Sequence, residues 1–554
     1  MANAQQQNFL DIAGLSDVLA GAENELGNGA NGIGDDGYVS STARAAATPK
    51  IGFINKLLKH LTQPTLARPQ THVRKVLDLF SSDHTANMIN VNLVGSDGSD
   101  IMQQALMVFA EQLKASGHFK VTITAKPMTL DLVNANEKQI VKAVKSARLW
   151  MMKKKTELLI LCKPSANGLC FGFQFISLTA GGVADLLCIP PGLAVFLPAR
   201  LDAGLEKILQ SVALAATGVS RSGQRKSVLG PVLKNMLAET DGASAQLPSS
   251  ISDLEKSQTL LCLSLALLSE HYRLGAVAGL AVRAHKYVEQ AVTLIDEAEN
   301  ALVWADAQGI KAQALLAKGG AEKDRYRAVK NSLRAALKCF EMETHPQKWA
   351  GLYNQLGQVF YQIGFDEGDT EQLRQALACF QNVLKVYSRA KNPHVWAEAM
   401  MSLARTAQVF GEHSRSLEAM DMAVRAYHSV LEMRHPEQQP MLWAATQNNL
   451  GSALFMLGKQ SKSMARLDAA AAAFQSALTI YDTRGAVRQA YVTAKNLKHV
   501  ERMLNHDEPL VPAPPELPWE DENWFDDEPL STDNEIQSSS VISREQPRRH
   551  ETNV

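Results

Sequence analysis

Cysteine is scarce and unpatterned: six residues, Cys162, Cys170, Cys188, Cys262, Cys339 and Cys379, stand among 554 positions without a CxxC pair. That excludes a disulfide-stapled scaffold and a cysteine-based zinc site, and leaves reduced thiols as the simpler reading. The fourteen histidines are scattered, with no HExxH, and no GxSxG turn or supported Cys-His grouping occurs, so no catalytic or metal constellation is marked and no cofactor is expected. Long apolar runs are also missing. Residues 164–184 carry no charge, but Gly, Ser, Thr, Asn and Gln interrupt them and Asp185 and Pro190-Pro191 follow, which is poor material for a bilayer span. The opening MANAQQQNFLDIAG has neither the basic start nor the apolar core of a secretory signal, so a cytoplasmic protein without a transmembrane segment is expected.

An excess of one charge is absent as well. The net charge of -1 gives no whole-molecule basic field, and nucleic acid is not an expected partner. The mean hides an asymmetry: residues 505–554 hold thirteen Asp or Glu against three Arg, a net of -10, which leaves +9 on residues 1–504. What is present is ordinary globular composition, 46% apolar and 20% charged, in a chain long enough for several domains.

Residues 1–50, with GNGANGIGDDG at their centre, have too few large apolar side chains to offset the entropy of ordering and are expected to be disordered. Over 51–70, Ile51, Ile54, Leu58 and Leu61 recur at helical spacing beside Lys56 and Lys59, giving a short amphipathic helix that packs on the body or touches a membrane surface, the former preferred. From 71 to 218 the periodicity alternates. NMINVNLVGSDG, FKVTITAK, TELLILCK and CFGFQFISL read as strands, with ADLLCI and GLAVFLPA as further candidates; IMQQALMVFAEQLKASG, QIVKAVKSARLWMMKKK and LEKILQSVALAAT read as helices. This predicts an α/β domain over 71–218. A linker is expected over 219–250, around a short helix at VLKNMLAE.

Beyond 251 the pattern is helical and repetitive. Trp304, Trp349, Trp396 and Trp443 are each followed by Ala and are separated by 45, 47 and 47 residues. Gly319, Gly364, Gly411 and Gly458 follow them by fifteen residues, and Pro346, Pro393 and Pro440 precede three of them by three. Each unit is expected to hold a helix A from Trp to Gly, closed by the glycine in a left-handed conformation, and a helix B. Helix B carries a small, an aromatic and an aliphatic residue at spacing four: Ala376, Phe380 and Leu384; Ala423, Tyr427 and Leu431; Ala470, Phe474 and Leu478. Ala284, Val288 and Val292 continue the register backwards, so five units are expected over 251–504, ending in the capping helix RQAYVTAKNLKHVERML.

WAATQNNLGSALFMLG followed by ARLDAAAAAFQSALTIY resembles the tetratricopeptide repeat, in its long bacterial form of about 47 residues. Leu450-Gly451, Leu454, Ala470 and Phe474, with Leu356-Gly357, Phe360, Ala376 and Phe380, match that family's packing positions; Leu403-Ala404 departs from Leu-Gly. The resemblance implies an α-solenoid binding a protein or peptide through its A helices, with Asn354, Gln358, Gln447 and Asn448 as candidate contacts or, equally, as hydrogen-bonding groups between repeats. In the order of its elements the α/β domain is similar to the N-terminal domain of TolB-like proteins.

Three other features could carry function. GSDGSD at 95–100 lies between strand and helix, where amides can hold a phosphate, but its aspartates oppose an anion and a turn with an N-cap by Ser99 or Asp97 is preferred. The helix over 137–155 sets Lys138, Lys142, Lys145 and Arg148 against Ile140, Val141, Val144 and Met151, a solvated face or a strip for an acidic partner such as the tail. In PPELPWEDENWFDDEPL, Trp519, Trp524 and Phe525 sit among acids, as in a binding motif that orders on a partner, preferred here over an aromatic patch packing back on the last repeat. The chain thus reads as a non-enzymatic adaptor: an α/β domain, an all-α repeat array and disordered termini, with self-association through the acidic tail as a further possibility. The alternative is a ligand- or nucleotide-binding sensor or enzyme in the α/β domain, regulated by the repeats.

Overall fold

A computed structural model describes residues 88–128, 136–178, 189–218, 223–244, 247–274 and 276–505. The expectations for 1–50 and 51–70, the strand candidate ADLLCI up to Cys188, and Trp519, Trp524 and Phe525 lie outside these residues.

The α/β region runs β1 (Ile89–Gly95), α1 (Asp100–Ala115), β2 (Phe119–Thr124), α2 (Glu137–Lys154), β3 (Leu158–Pro164), β4 (Cys170–Ser177), β5 (Ala194–Pro198) and α3 (Ala203–Ala216). The strands form one sheet in the order β2-β1-β3-β4-β5. β1 pairs in parallel with β2 and β3, while β4 and β5 are antiparallel to their neighbours. Alternation divides the strand side chains between two cores, as a period of two requires. Val91, Leu93, Ile160, Phe171, Phe173 and Phe175 join α1 and α3 on one face, where Phe109 meets Phe173 edge-on at 4.6 Å. Val94, Leu159, Leu161 and Ile176 meet Val144, Ala147 and Met151 of α2 on the other. With both faces covered, every residue of β4 is buried.

Two details of α2 differ from expectation. Val141 is exposed, because it stands one residue, or about 100°, from the Ile140, Val144 and Met151 line that faces the sheet. Arg148 does not belong to a free basic strip: its Nε donates to the Ser177 carbonyl at 3.0 Å.

The stretch expected as a linker is helical over most of its described part, with α4 (Gly223–Ala238) and α5 (Thr240–Ser244), and α6 (Asp253–Arg273) follows. Leu229, Leu233, Met236 and Leu237 are buried in the same core as the sheet. The Ser, Gly and Arg content that reads as a loop is overridden by these apolar side chains at helical spacing. Gly230 admits the Arg273 guanidinium, whose Cζ would stand 2.5 Å from an added Cβ, and Arg273 pairs with the fully buried Glu270. α6 also closes the sheet edge: the free β5 amides of Phe196 and Ala194 donate to Thr259 Oγ1 at 2.9 Å and Gln258 Oε1 at 3.3 Å.

Helical hairpins follow. α6 pairs with α7 (Ala278–Thr293), and α8 (Ala301–Lys318) with α9 (Glu322–Leu337). Then come α10 (Pro346–Glu367), α11 (Thr370–Val386), α12 (Pro393–Ser414), α13 (Leu417–Leu431), α14 (Pro440–Ser461), α15 (Met464–Thr483) and α16 (Val487–Leu504). The chain divides into two compact units at Trp349 and Ala350, one holding the sheet and α1 to α9, the other the helices beyond. The four tryptophans occupy one backbone position: their amides donate to the carbonyls of Asn300, His345, Asn392 and Gln439, four residues back, at the start of each helix A. Pro393 and Pro440 open α12 and α14, where a missing N–H costs nothing.

The glycines correct one expectation. Gly319 leaves its helix at φ 75°, but Gly364, Gly411 and Gly458 lie inside α10, α12 and α14, three residues before their ends. The residues with positive φ there are Gly368, Arg415 and Lys462, and the last two donate their amides to the Gly411 and Gly458 carbonyls. Absence of a side chain, and not a left-handed turn, is what these positions supply. A Cβ on Gly364 would stand 2.5 Å from Leu373 Cγ, one on Gly411 3.0 Å from the Met420 amide nitrogen, and one on Gly458 3.0 Å from Leu467. Each glycine lets helix B start against helix A.

Gly411→Ala should therefore destabilise by about 1–3 kcal/mol, since main-chain atoms cannot swing away. Gly279→Ala, in α7 with open space around it, should be neutral or stabilising by up to about 1 kcal/mol. Urea midpoints with unchanged slopes would check the pair.

One contact had no sequence signal. Glu137, at the start of α2, accepts the amides of Gln347 at 2.7 Å and Lys348 at 3.3 Å, while Lys348 Nζ meets Asp306 at 2.6 Å. Burial raises the Glu137 pKa and outweighs the two amides, which lower it. The folded state thus holds this proton more tightly than the unfolded one, and the contribution is fully present below the ordinary carboxylate value and lost as pH rises to the raised one. Glu137→Gln should flatten the pH dependence of the melting temperature within that window.

Candidate partner-binding face

On α10, Gly357 and Phe360 turn toward helix B, where a Cβ at Gly357 would stand 3.0 Å from Phe380. Asn354, Gln358, Tyr361 and Phe365, at spacings of four, three and four, share another face. Asn354 and Gln358 are half-buried and form no side-chain hydrogen bond among the described residues, and Tyr361 stacks on Phe365 with ring centroids 5.9 Å apart. Burial raises the Tyr361 pKa.

The same register 47 residues later gives Met401, Arg405, Gln408 and Glu412 on α12, and again Asn448, Ser452, Phe455 and Lys459 on α14. In α14 the outer positions are covered by α16: Thr493 Oγ1 donates to Asn448 Oδ1 at 3.0 Å, and His499 meets Phe455 edge-on at 5.1 Å. Asn448 is thus engaged between helices, while Gln447 is half-buried with no side-chain hydrogen bond among the described residues.

The residue that sequence reasoning missed is Arg405. It is half-buried, its Nε is buried without a hydrogen-bond partner, and it forms no ion pair among the described residues. Its charge acts on Tyr361, Tyr427 and Arg434. Arg434 is itself satisfied, by Glu398 at 2.7 Å and Thr446 Oγ1 at 2.8 Å, and the Tyr427 hydroxyl donates to Gln408 Oε1 at 3.1 Å. A guanidinium without an ion pair among the described residues keeps donors that a carboxylate satisfies in a bidentate manner. The available signal was the register: arginine stands where the flanking copies carry Gln358 and Ser452.

The α/β region offers less. Ser99 caps α1, and Asp97 accepts the Ser99 amide at 2.9 Å, so the 95–100 loop satisfies itself; these hydrogen bonds lower the Asp97 pKa and keep a negative charge where an anion would sit. Cys162, Cys170, Cys262 and Cys379 are buried, and burial raises the thiol pKa of Cys162 and Cys262, opposite to a nucleophile's need. Among the described residues no group of His, Cys, Asp and Glu could hold a metal, and no helix is long and apolar enough to cross a membrane.

No family model and no curated protein matches the chain. Among solved structures it is similar to a Rap protein complexed with Competence and Sporulation Factor, at 14% identity and a TM-score of 0.24, over 55% of this chain and 89% of that one. A likeness this distant fixes no ligand and no activity.

A double-mutant cycle of Asn448→Ala and Thr493→Ala should give a coupling of about 0.5–1.5 kcal/mol in urea unfolding. Additive effects would show that Asn448 does not hold α16.

Proposed function

We propose that the chain is a non-enzymatic adaptor, in which tetratricopeptide-like hairpins hold an extended acidic segment of a partner protein along the helix A face of residues 350–505. The observation that carries this reading is Arg405: a half-buried guanidinium without a carboxylate partner costs desolvation in the free protein, a cost that a bound anion removes. Gln358 and Asn354, on the equivalent face of α10, supply amide groups with spare donors and acceptors, suited to a peptide backbone, and the Tyr361–Phe365 stack supplies an apolar floor. The tetratricopeptide-like packing, with Gly357 under Phe380 and Gly451 under Phe474, supports the same assignment.

The full chain, titrated with an array of acidic and charge-neutralised peptides, should bind a subset of the acidic ones. Arg405→Gln should weaken that binding about tenfold or more, in keeping with loss of one charge-assisted contact, and leave the melting temperature unchanged or higher. Binding that ignores the substitution, or favours neutral peptides, would refute the role given to Arg405.

A further inference from the structure

The last described helix, α16, packs on α14 and α15 through Ala490, Thr493, Leu497 and Val500, which repeat at spacings of three and four on one face. Among the described residues nothing covers its opposite face. Val487 is 79% exposed, Tyr491 72% and Val492 47%. Between and beyond them Arg488, Lys495, Lys498 and Arg502 are exposed, none in an ion pair with a described residue, and Glu501 is the one exposed carboxylate on the helix. A helix that closes a repeat array ordinarily turns a polar face to water. This one turns an aromatic-aliphatic stripe framed by cations, the composition of a docking face for something acidic and aromatic.

Such a segment follows directly in the chain. Residues 516–530 carry Trp519, Trp524 and Phe525 among seven acids and no base. Trp519 lies fourteen positions beyond Asn505, a reach of about 46–50 Å when extended, against about 27 Å for the length of an eighteen-residue helix. The segment can therefore return to any point on α16. We infer that the outer face of α16 is the docking surface for residues 516–530 of the same chain, the indoles covering Val487 and Tyr491 and the flanking acids meeting Arg488, Lys495, Lys498 and Arg502. Tethering raises the local concentration of the segment to the millimolar range, so contacts too weak to hold a free peptide suffice. The surface differs from the Arg405 face and stands independently of it.

Hydrogen exchange on the full chain tests the assignment. At low salt, amides of 516–530 should exchange at least about tenfold more slowly than those of 531–554, independently of protein concentration. Lys495→Glu with Lys498→Glu should abolish the slowing, Tyr491→Ser should reduce it separately, and Glu520→Lys with Asp521→Lys should restore it in the doubly reversed chain. All these positions are exposed, and unchanged far-UV dichroism would verify folding. Raising salt to about 0.5 M should weaken the protection, whereas Arg405→Gln should leave it intact. Absence of slowing in the native chain, or slowing that survives both the charge reversal and Tyr491→Ser, overturns the inference. Slowing that grows with protein concentration overturns it too, because the occupant would then be a second copy.

Discussion

Burial of α6 is the constraint on which the first unit depends. Every residue from 257 to 271 is shielded from water, so the helix has no solvent face and must satisfy sheet and hairpin together. Its leucines, each contributing about 1.5–3 kcal/mol when fully buried, supply the attraction. Its polar groups supply the register: Thr259 and Gln258 end the sheet at β5, Ser264 donates to the Ala284 carbonyl of α7 at 3.0 Å, and Glu270 holds Arg273 beneath Gly230 of α4. A slip of one residue would leave these groups unpartnered in a low-dielectric interior. Sheet and first hairpin accordingly share a single core, although their compositions suggest separate domains.

The second unit is governed by a shorter-range version of the same demand. Helix A and helix B approach so closely at Gly364, Gly411 and Gly458 that a methyl group would overlap the neighbour, and at Gly357 and Gly451 an aromatic ring fills the space. Small residues at two levels of each hairpin fix its angle, and the faces turned away from that contact are left to vary.

Much of the fold was legible in the sequence because it rests on periodicity. Alternation and short apolar runs located β1 to β4, and the recurring tryptophans located the helix A starts, since each element repeats one physical requirement along the chain. The failures share a cause of their own. Gly411 was read as a left-handed terminus because glycine satisfies two needs, freedom of φ and lack of bulk, and spacing does not separate them. The region around α4 was read as a linker because Ser, Gly and Arg dominate its composition, while Leu229, Leu233 and Leu237 determine its burial. Glu137 escaped notice because its partners lie more than two hundred residues away.

Candidate contacts divide for a similar reason. Asn354 and Asn448 hold equivalent positions 94 residues apart, yet the first forms no side-chain hydrogen bond among the described residues and the second is bound to Thr493. Repetition makes residues equivalent in backbone position and not in neighbourhood. The copy beneath α16 has its face covered, whereas at the matching places upstream glutamine and arginine keep unused hydrogen-bonding capacity. Arg405 stands in register between Gln358 and Ser452, the one charged residue at that position, and the proposed binding role rests on that difference between copies. The charge asymmetry follows the same logic. On the proposed reading, the array presents two cationic surfaces, the Arg405 face and the stripe on α16, and an acidic segment could meet either. An acidic stretch tethered beside the stripe can occupy it and leave the arginine face free for a separate partner.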